Sequence, residues 1–385
     1  MNNCEVAIIG AGVHGASAAY HLSSRGVNVA IFDERGPAGG PTGRSSAICR
    51  AYYTNEFLAV MARKSIEMLA NFEDVVGGPS GFKRTGFLWL HPIQDVPDLD
   101  LSIPRLRRTG VVVDRLEPKD LARDYPQFDV EGVSAALWEP GAGYADPTLT
   151  TSSMINRSQR QGARTYLFSK VVALKRAARG YVIETDNGDA VHANRVLLAA
   201  GPWTRPLGLQ LGIDLPLTVE RHVVGVIRWD RAAQMPFGHA DLVSGHYYCK
   251  PEGDDMYCLG PLLAAEAADP GSFVESLTDA EGFSLTSGAI ARVPGLRDAQ
   301  LLSGWASLYD VSPDWQPVIG EVAEGLFVDA GTSGHGFKLA PALGAVVADL
   351  VMGQEVDEGI SQFHPRRFEA GELLEAGYGT ARIIG

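Results

Sequence analysis

"CEVAIIGAGVHGASAAYHLSSRGVNVAIFDE", Cys4 to Glu34, begins with a short apolar run, turns through Gly10, Gly12 and Gly15, and continues at helical spacing through Ala16, Ala19, Tyr20 and Leu22. It then passes Gly26 into a second apolar run that ends at Asp33. Strand, glycine turn, helix and strand together make a βαβ unit of about 30 residues, the arrangement that binds a dinucleotide. Each glycine has a task in it: a tight turn, close approach of the backbone to a pyrophosphate, and close packing of helix on strand. The helix N-terminus offers partial positive charge, so the turn Gly10-Ala11-Gly12-Val13-His14-Gly15 is expected to hold the phosphates. His14 reads as a helix-start residue rather than a catalyst. Asp33 follows Gly15 by 18 positions, where its carboxylate can accept hydrogen bonds from a ribose diol, with Glu34 and Arg35 beside it.

The rest of the composition suits an ordinary globular protein. The 385 residues are 45% hydrophobic, enough for one large or two moderate cores. Thirty-three basic against 46 acidic residues give a net charge of −13, which disfavours nucleic acid and anionic membranes as partners. Cys4, Cys49, Cys249 and Cys258 form no C-x-x-C pair and no dense framework, so neither disulfides nor a metal site is expected. There is no long apolar span, and "EVAIIGAG" starts within five residues of Met1, leaving no room for a signal peptide; the expectation is a cytoplasmic protein.

After the acid strand comes "RGPAGGPTGRSSAICRAYYTNEF", Arg35 to Phe57, a glycine- and serine-rich loop where NAD dehydrogenases usually continue into another helix. Flavoproteins often thread such a loop beneath the flavin, which favours FAD and makes Arg44, Ser45 and Ser46 candidate cofactor contacts. Leu58, Met61, Ala62, Ser65, Leu69 and Phe72 recur at steps of three and four behind Asn55, an N-cap type, and predict a core-facing helix. Arg50 lies between loop and helix, where a guanidinium can grip a carboxylate through two parallel hydrogen bonds or make a surface ion pair.

Four further segments make the pattern specific: "GYADPTLTTSSMINRSQRQGARTYLFSKVVAL" (143–174), "NRVLLAAGPWT" (194–204), "WASLYDVSPDWQPVIG" (305–320) and "GTSGHGFKLAPALG" (331–344). In this order they resemble the D-amino-acid oxidase and sarcosine oxidase superfamily of FAD-dependent amine oxidoreductases, in particular its monomeric sarcosine oxidase, sarcosine oxidase β-subunit and glycine oxidase branch. The resemblance implies an α/β fold, with a Rossmann-like FAD-binding domain and an inserted α+β substrate domain built on an antiparallel sheet. Residues 1–85, 141–214 and 310–385 would form the first domain, and 86–140 and 215–309 the second. "TGFLWLHP", "GVVVDRL" and "HVVGVIRW" read as the short strands such a sheet needs.

The same resemblance implies site roles. Arg50 and Lys338 would bind the substrate carboxylate over the flavin, Tyr248 and Tyr309 would be active-site tyrosines, and His335 would lie near the ring. Val172, Ala200, Gly201, Trp203, Gly334, Gly336 and Phe337 would join the glycine turn in holding FAD. Two positions depart from the pattern. Ser307 stands where members with covalent flavin carry cysteine, so FAD should be bound non-covalently. Cys258 stands where oxidases commonly place a lysine whose charge stabilises superoxide. Lys250, on the preceding strand, reads as a solvated surface residue, which leaves oxygen or another carrier as electron acceptor.

The implied reaction is oxidation of an amino-acid C–N bond, with hydride passing to flavin N5 and hydrolysis of the imine; a secondary amino acid such as sarcosine is the leading substrate. Glycine or D-amino acids are alternatives, as is a flavin-bearing subunit inactive alone or a redox-sensing module. Pro341 suits a first helical turn, so a helix is expected to start there with Lys338 just before it.

Overall fold

A computed structural model describes residues 2–375. Its first sheet is built on parallel strands in the order Arg164–Leu167, Val29–Asp33, Asn2–Ile9, Ala190–Leu198 and Leu326–Ala330. Val318–Ala323 pairs antiparallel at one side, and the hairpin Val171–Arg176/Tyr181–Thr185 joins the early half of Ala190–Leu198. Val6, Ile8, Val29, Ile31, Val196 and Leu198 are fully buried, as a parallel sheet covered on both faces requires.

Helix Val13–Ser24 covers one face and is itself covered by helix Gly336–Met352. A Cβ on Gly344 would overlap the Ser17 side chain, so the two helices meet at backbone distance. The Ser17 hydroxyl and His21 Nε2 both bond the Pro341 carbonyl. The C-terminal helix starts at Gly336, five residues before the expected Pro341, which lies inside it. This proline is tolerated because the Ser65 hydroxyl splints the turn, accepting from Ala342 N at 3.0 Å and donating to the Leu339 carbonyl at 3.0 Å. Ser65 comes from helix Glu56–Ala70, capped by Asn55 as expected, with Leu58, Met61, Ala62 and Leu69 buried.

The second sheet draws all its strands from residues 87–311. Its order is Gln300–Val311, Thr218–Arg228, Met256–Pro261, Tyr247–Glu252, Gly238–Asp241, Phe87–His91, Ala135–Glu139 and Asp114–Leu116. Every pairing is antiparallel except that of Gly238–Asp241 with Phe87–His91. A third, small sheet links Ile48–Cys49, Gly143–Tyr144 and Lys83–Arg84, and carries the chain from the loop into the second sheet. All four cysteines are buried and unpaired, and among the described residues no helix is long and apolar enough to cross a membrane.

Replacing a helix-interior glycine by alanine normally stabilises by about 0.5–1 kcal/mol. Gly344→Ala should reverse that sign, because its methyl group has no room against Ser17, and should cost about 1–3 kcal/mol, read as a lowered Tm.

Candidate functional site

An elongated cleft runs across the C-terminal edge of the first sheet to the face of the second. At one end it is bordered by Asp33, Glu34, Arg35 and Lys170, and at the other by Ser46, His222, Tyr248, Ser307 and Tyr309. The glycine turn lies between them. Gly10 has φ +113°, and a Cβ there would overlap the Ala199 carbonyl; a Cβ on Gly15 would overlap the carbonyl of Gly10. Gly12 differs: a Cβ there would meet only Thr42 Oγ1, at 3.1 Å, and Gly12 itself borders the cleft. The three glycines thus do three different things, and the space a side chain at Gly12 would fill is the space a pyrophosphate needs.

Around this turn the cleft has the donors a dinucleotide requires. Helix Val13–Ser24 begins at Gly12 with no side-chain N-cap of its own, and Val13 N donates to Thr42 Oγ1 at 3.1 Å. The Asp33 carboxylate accepts from Ala11 N and from Arg35 N, each at 2.7 Å, bracing the turn with one oxygen apiece. Its further lone pairs can still receive ribose hydroxyls. Ala11 and Gly15 are behind the surface, while Val13, His14, Glu34, Arg35, Arg44, Ser45, Ser46, Ala200, Gly201, Trp203, Gly334, Gly336 and Phe337 all border the cleft. The Arg35 guanidinium lies over the Trp203 ring, 5.6 Å from its centroid. Arg44 is held by the Ala306 carbonyl and by Glu275. These groups fit FAD along the whole cleft.

Val172 is 51% exposed and does not border the cleft, while its neighbour Val171 does, because successive side chains of a strand face opposite ways.

At the far end the two tyrosines are fixed by neighbours the sequence did not announce. The Tyr248 hydroxyl bonds Ser46 Oγ at 2.7 Å, and its ring fills the space over Gly260. Tyr309 stacks on His222, ring centroids 3.9 Å apart, and its ring edge fits against Gly334. Burial pushes the Tyr309 phenol up to about 12 and Tyr248 well above its ordinary value, so both stay protonated and can donate. Ser307 borders the cleft directly across the strand pair from His222.

Arg50, Lys338 and His335 lie behind this surface, all buried. Lys338 is the third residue of helix Gly336–Met352 rather than a residue preceding it. Burial drives its ammonium well below the ordinary range, and the nearby Arg50 charge pushes the same way. Arg50 lies over the rings of Tyr53 and Trp89, at 4.3 and 5.3 Å, and donates to the Tyr52 carbonyl. Glu139, which nothing in the sequence pattern marked, accepts from Ala51 N at 2.6 Å and Tyr52 N at 3.3 Å and so holds the segment that carries Arg50. Burial lifts its carboxyl to about 7, against the pull of those amides and of Arg50 and Lys338. His335 stands beside Tyr53, ring centroids 5.7 Å apart.

Cys258 is buried, and burial pushes its thiol up to about 12, which leaves it neutral. Directly opposite it in the hairpin is Lys250. Far from being a surface residue, Lys250 is only 4% exposed; its ammonium pairs with Glu252 and lies 4.3 Å from the Tyr144 ring centroid. It shares a strand face with Tyr248, two residues earlier, and that period-two spacing was the signal for its direction.

Comparison with known proteins agrees with this architecture. Residues 5–350 match the family described as DAO, FAD dependent oxidoreductase. The chain is 24% identical over 95% of its length to mitochondrial dimethylglycine dehydrogenase of Rattus norvegicus, but spans only 45% of that protein. It is 27% identical to N-methyl-L-tryptophan oxidase of Salmonella typhi, covering 94% of this chain and 99% of the relative. The crystal structure of glycine oxidase from Geobacillus kaustophilus superposes with a TM-score of 0.82 at 23% identity, covering 95% of this chain and 99% of that one. With the dinucleotide turn, the long cleft and the two-sheet architecture in place, the chain belongs to the DAO family of FAD-dependent oxidoreductases.

Proposed function

We propose that the protein oxidises the C–N bond of an amino acid, with a secondary amine, N-methylated or cyclic as in sarcosine, as the preferred class. The observation that carries this reading is Lys338: a lysine buried in the first turn of a helix, beside an arginine, where burial, the helix dipole and a like charge all oppose its positive form. A site that keeps such a lysine suits an anionic ligand, and the carboxylate of an amino acid answers it. N-substitution is supported by the names of two relatives, dimethylglycine dehydrogenase and N-methyl-L-tryptophan oxidase. In this reading residues 1–85, 141–214 and 310–385 form the cofactor-binding part and the segments between them the substrate part.

FAD, when bound, would supply the two-electron acceptor for the hydride equivalent that leaves a carbon bonded to the amine nitrogen. The chain's own contribution is position and exclusion of water. Arg50 and Lys338 grip the carboxylate, and Glu139 keeps the Arg50 segment in register through the Ala51 and Tyr52 amides. Tyr248 and Tyr309, both held as neutral phenols, wall the amine and can donate hydrogen bonds but not act as bases near neutral pH.

Binding a carboxylate raises the depressed Lys338 pKa, so the neutral amine takes up a proton with the ligand. Affinity for a simple carboxylate inhibitor should therefore fall as pH rises through the window between the free and liganded values. Lys338→Met should weaken that ligand by about tenfold to a hundredfold, abolish the pH slope and leave FAD bound. Loss of FAD with unchanged ligand affinity would contradict the assignment.

The buried Lys250 favours oxygen as acceptor, because it brings positive charge to the strand pair where Cys258 brings none. Lys250→Met should slow reoxidation of the reduced protein by oxygen by about tenfold or more while leaving reduction by substrate unchanged. An unaltered oxygen rate would return the choice to another carrier. Since Ser307 offers no thiol, acid precipitation should leave the yellow flavin in the supernatant; colour in the pellet would contradict non-covalent attachment.

A further inference from the structure

His14 occupies the fifth position of the glycine turn, in the first turn of helix Val13–Ser24, and borders the cleft. Its ring is engaged at both nitrogens. Nδ1 lies 2.9 Å from each oxygen of the Asp329 carboxylate, and Nε2 lies 3.1 Å from the Gly336 carbonyl oxygen. A carbonyl can only accept, so Nε2 carries a proton. An ionised carboxylate can only accept, so Nδ1 carries one too. The alternative, a proton on Asp329 itself, gives the pair the same proton count and the same net charge of zero. His14 and Asp329 are both buried, where an unpaired charge would be costly.

We propose that the proton shared by His14 and Asp329 sets the affinity for FAD: with it the phosphate-binding turn carries an imidazolium matched by one carboxylate, and without it an unmatched carboxylate faces the cofactor's diphosphate. The inference rests on FAD occupying this turn. Three elements converge on the ring. Strand Leu326–Ala330 brings Asp329, and the end of strand Gln300–Val311 brings Asp310, whose charge also acts on His14. The start of helix Gly336–Met352 brings the Gly336 carbonyl. Asp310 is buried among its own donors, accepting from Gly331 N and the Thr332 hydroxyl, and burial raises its carboxyl. Asp33 braces the other side of the same turn through Ala11 N. With Asp329, Asp310 and Asp33 all beside the turn, a cation at His14 offsets negative charge that the diphosphate would otherwise meet.

Burial alone would strip the His14 proton, but the Asp329 charge and hydrogen bond, with help from Asp310 and the Gly336 carbonyl, raise its pKa above the ordinary value. The proton is therefore kept at neutral pH and lost as pH rises through the raised value. The diphosphate should raise it further, so between the cofactor-free and cofactor-bound values FAD affinity falls about tenfold per pH unit. Lys338 is also lowered from its ordinary range, so a pH dependence of binding must be assigned through variants at the pair itself.

The test is the dissociation constant of FAD, followed by flavin fluorescence from about pH 6 to about pH 9, for the full-length protein and two variants. The unmodified protein should bind FAD more weakly as pH rises through the raised His14 value. Asp329→Asn, with no carboxylate to leave unmatched, should bind with little pH dependence, and His14→Gln should bind weakly at every pH. A flat profile for the unmodified protein, or the same slope in Asp329→Asn, would overturn the proposal. Nitrogen chemical shifts of 15N-histidine in the unmodified holoprotein give a check that needs no variant: His14 should be protonated at both nitrogens near neutral pH, and a ring bearing one proton with an ionised Asp329 would overturn it. Failure to bind FAD at any pH would instead defeat the cofactor reading itself.

Discussion

The structure depends on bringing two ends of the chain together at backbone distance. Gly10 crosses under the Ala199 carbonyl, Gly15 packs on Gly10, and Gly344 packs on Ser17. Each contact would be crowded by a single methyl group, so glycine at these positions is what lets sheet, nucleotide helix and C-terminal helix pack this closely. Close approach of the two helices then sets the rest. It carries the Gly336 carbonyl to His14 and places Lys338 in a first helical turn facing the segment of Arg50. The glycine turn and the buried Lys338–Arg50 pair are therefore positioned by one helix contact.

The second sheet contributes differently. Its long strands Thr218–Arg228 and Gln300–Val311 present His222, Ser307 and Tyr309 to the cleft, and the hairpin Tyr247–Glu252/Met256–Pro261 presents Tyr248, with Lys250 and Cys258 paired further along the same hairpin. Backbone pairing fixes which residues share a face, and the polar contacts Tyr248–Ser46 and Trp305–Arg44 tie that face to the loop of the first sheet. Geometry at the site is thus held by rigid strands and by a loop anchored at both ends, the condition for catalysis by positioning.

Much of this could be read from the chain because the decisive signals are local. The glycine spacing, the apolar run into Asp33 and the Asn55 cap each follow from interactions within a few residues, and each is found where expected. What was not legible depends on distant partners. Pro341 pointed to a helix start, and only the Ser65 hydroxyl from another helix lets the helix run through it. That Val171 rather than Val172 borders the cleft was equally hidden, because an apolar strand gives no clue to which face meets it. Glu139 and the Asp329 partner of His14 have no sequence neighbour that marks them, since their partners lie 88 and 315 positions away. Lys250 is the intermediate case: strand alternation with Tyr248 carried its direction, but its burial came only from the surrounding sheet.

The proposed reaction requires a carboxylate-bearing amine to meet the flavin. Anaerobic mixing of the holoprotein with an N-methyl amino acid and, separately, with the same amine lacking its carboxylate tests that most directly through the flavin absorbance. Sarcosine or a related secondary amino acid should bleach the flavin and dimethylamine should not. Equal bleaching by both, or none by any amino acid offered, would contradict it.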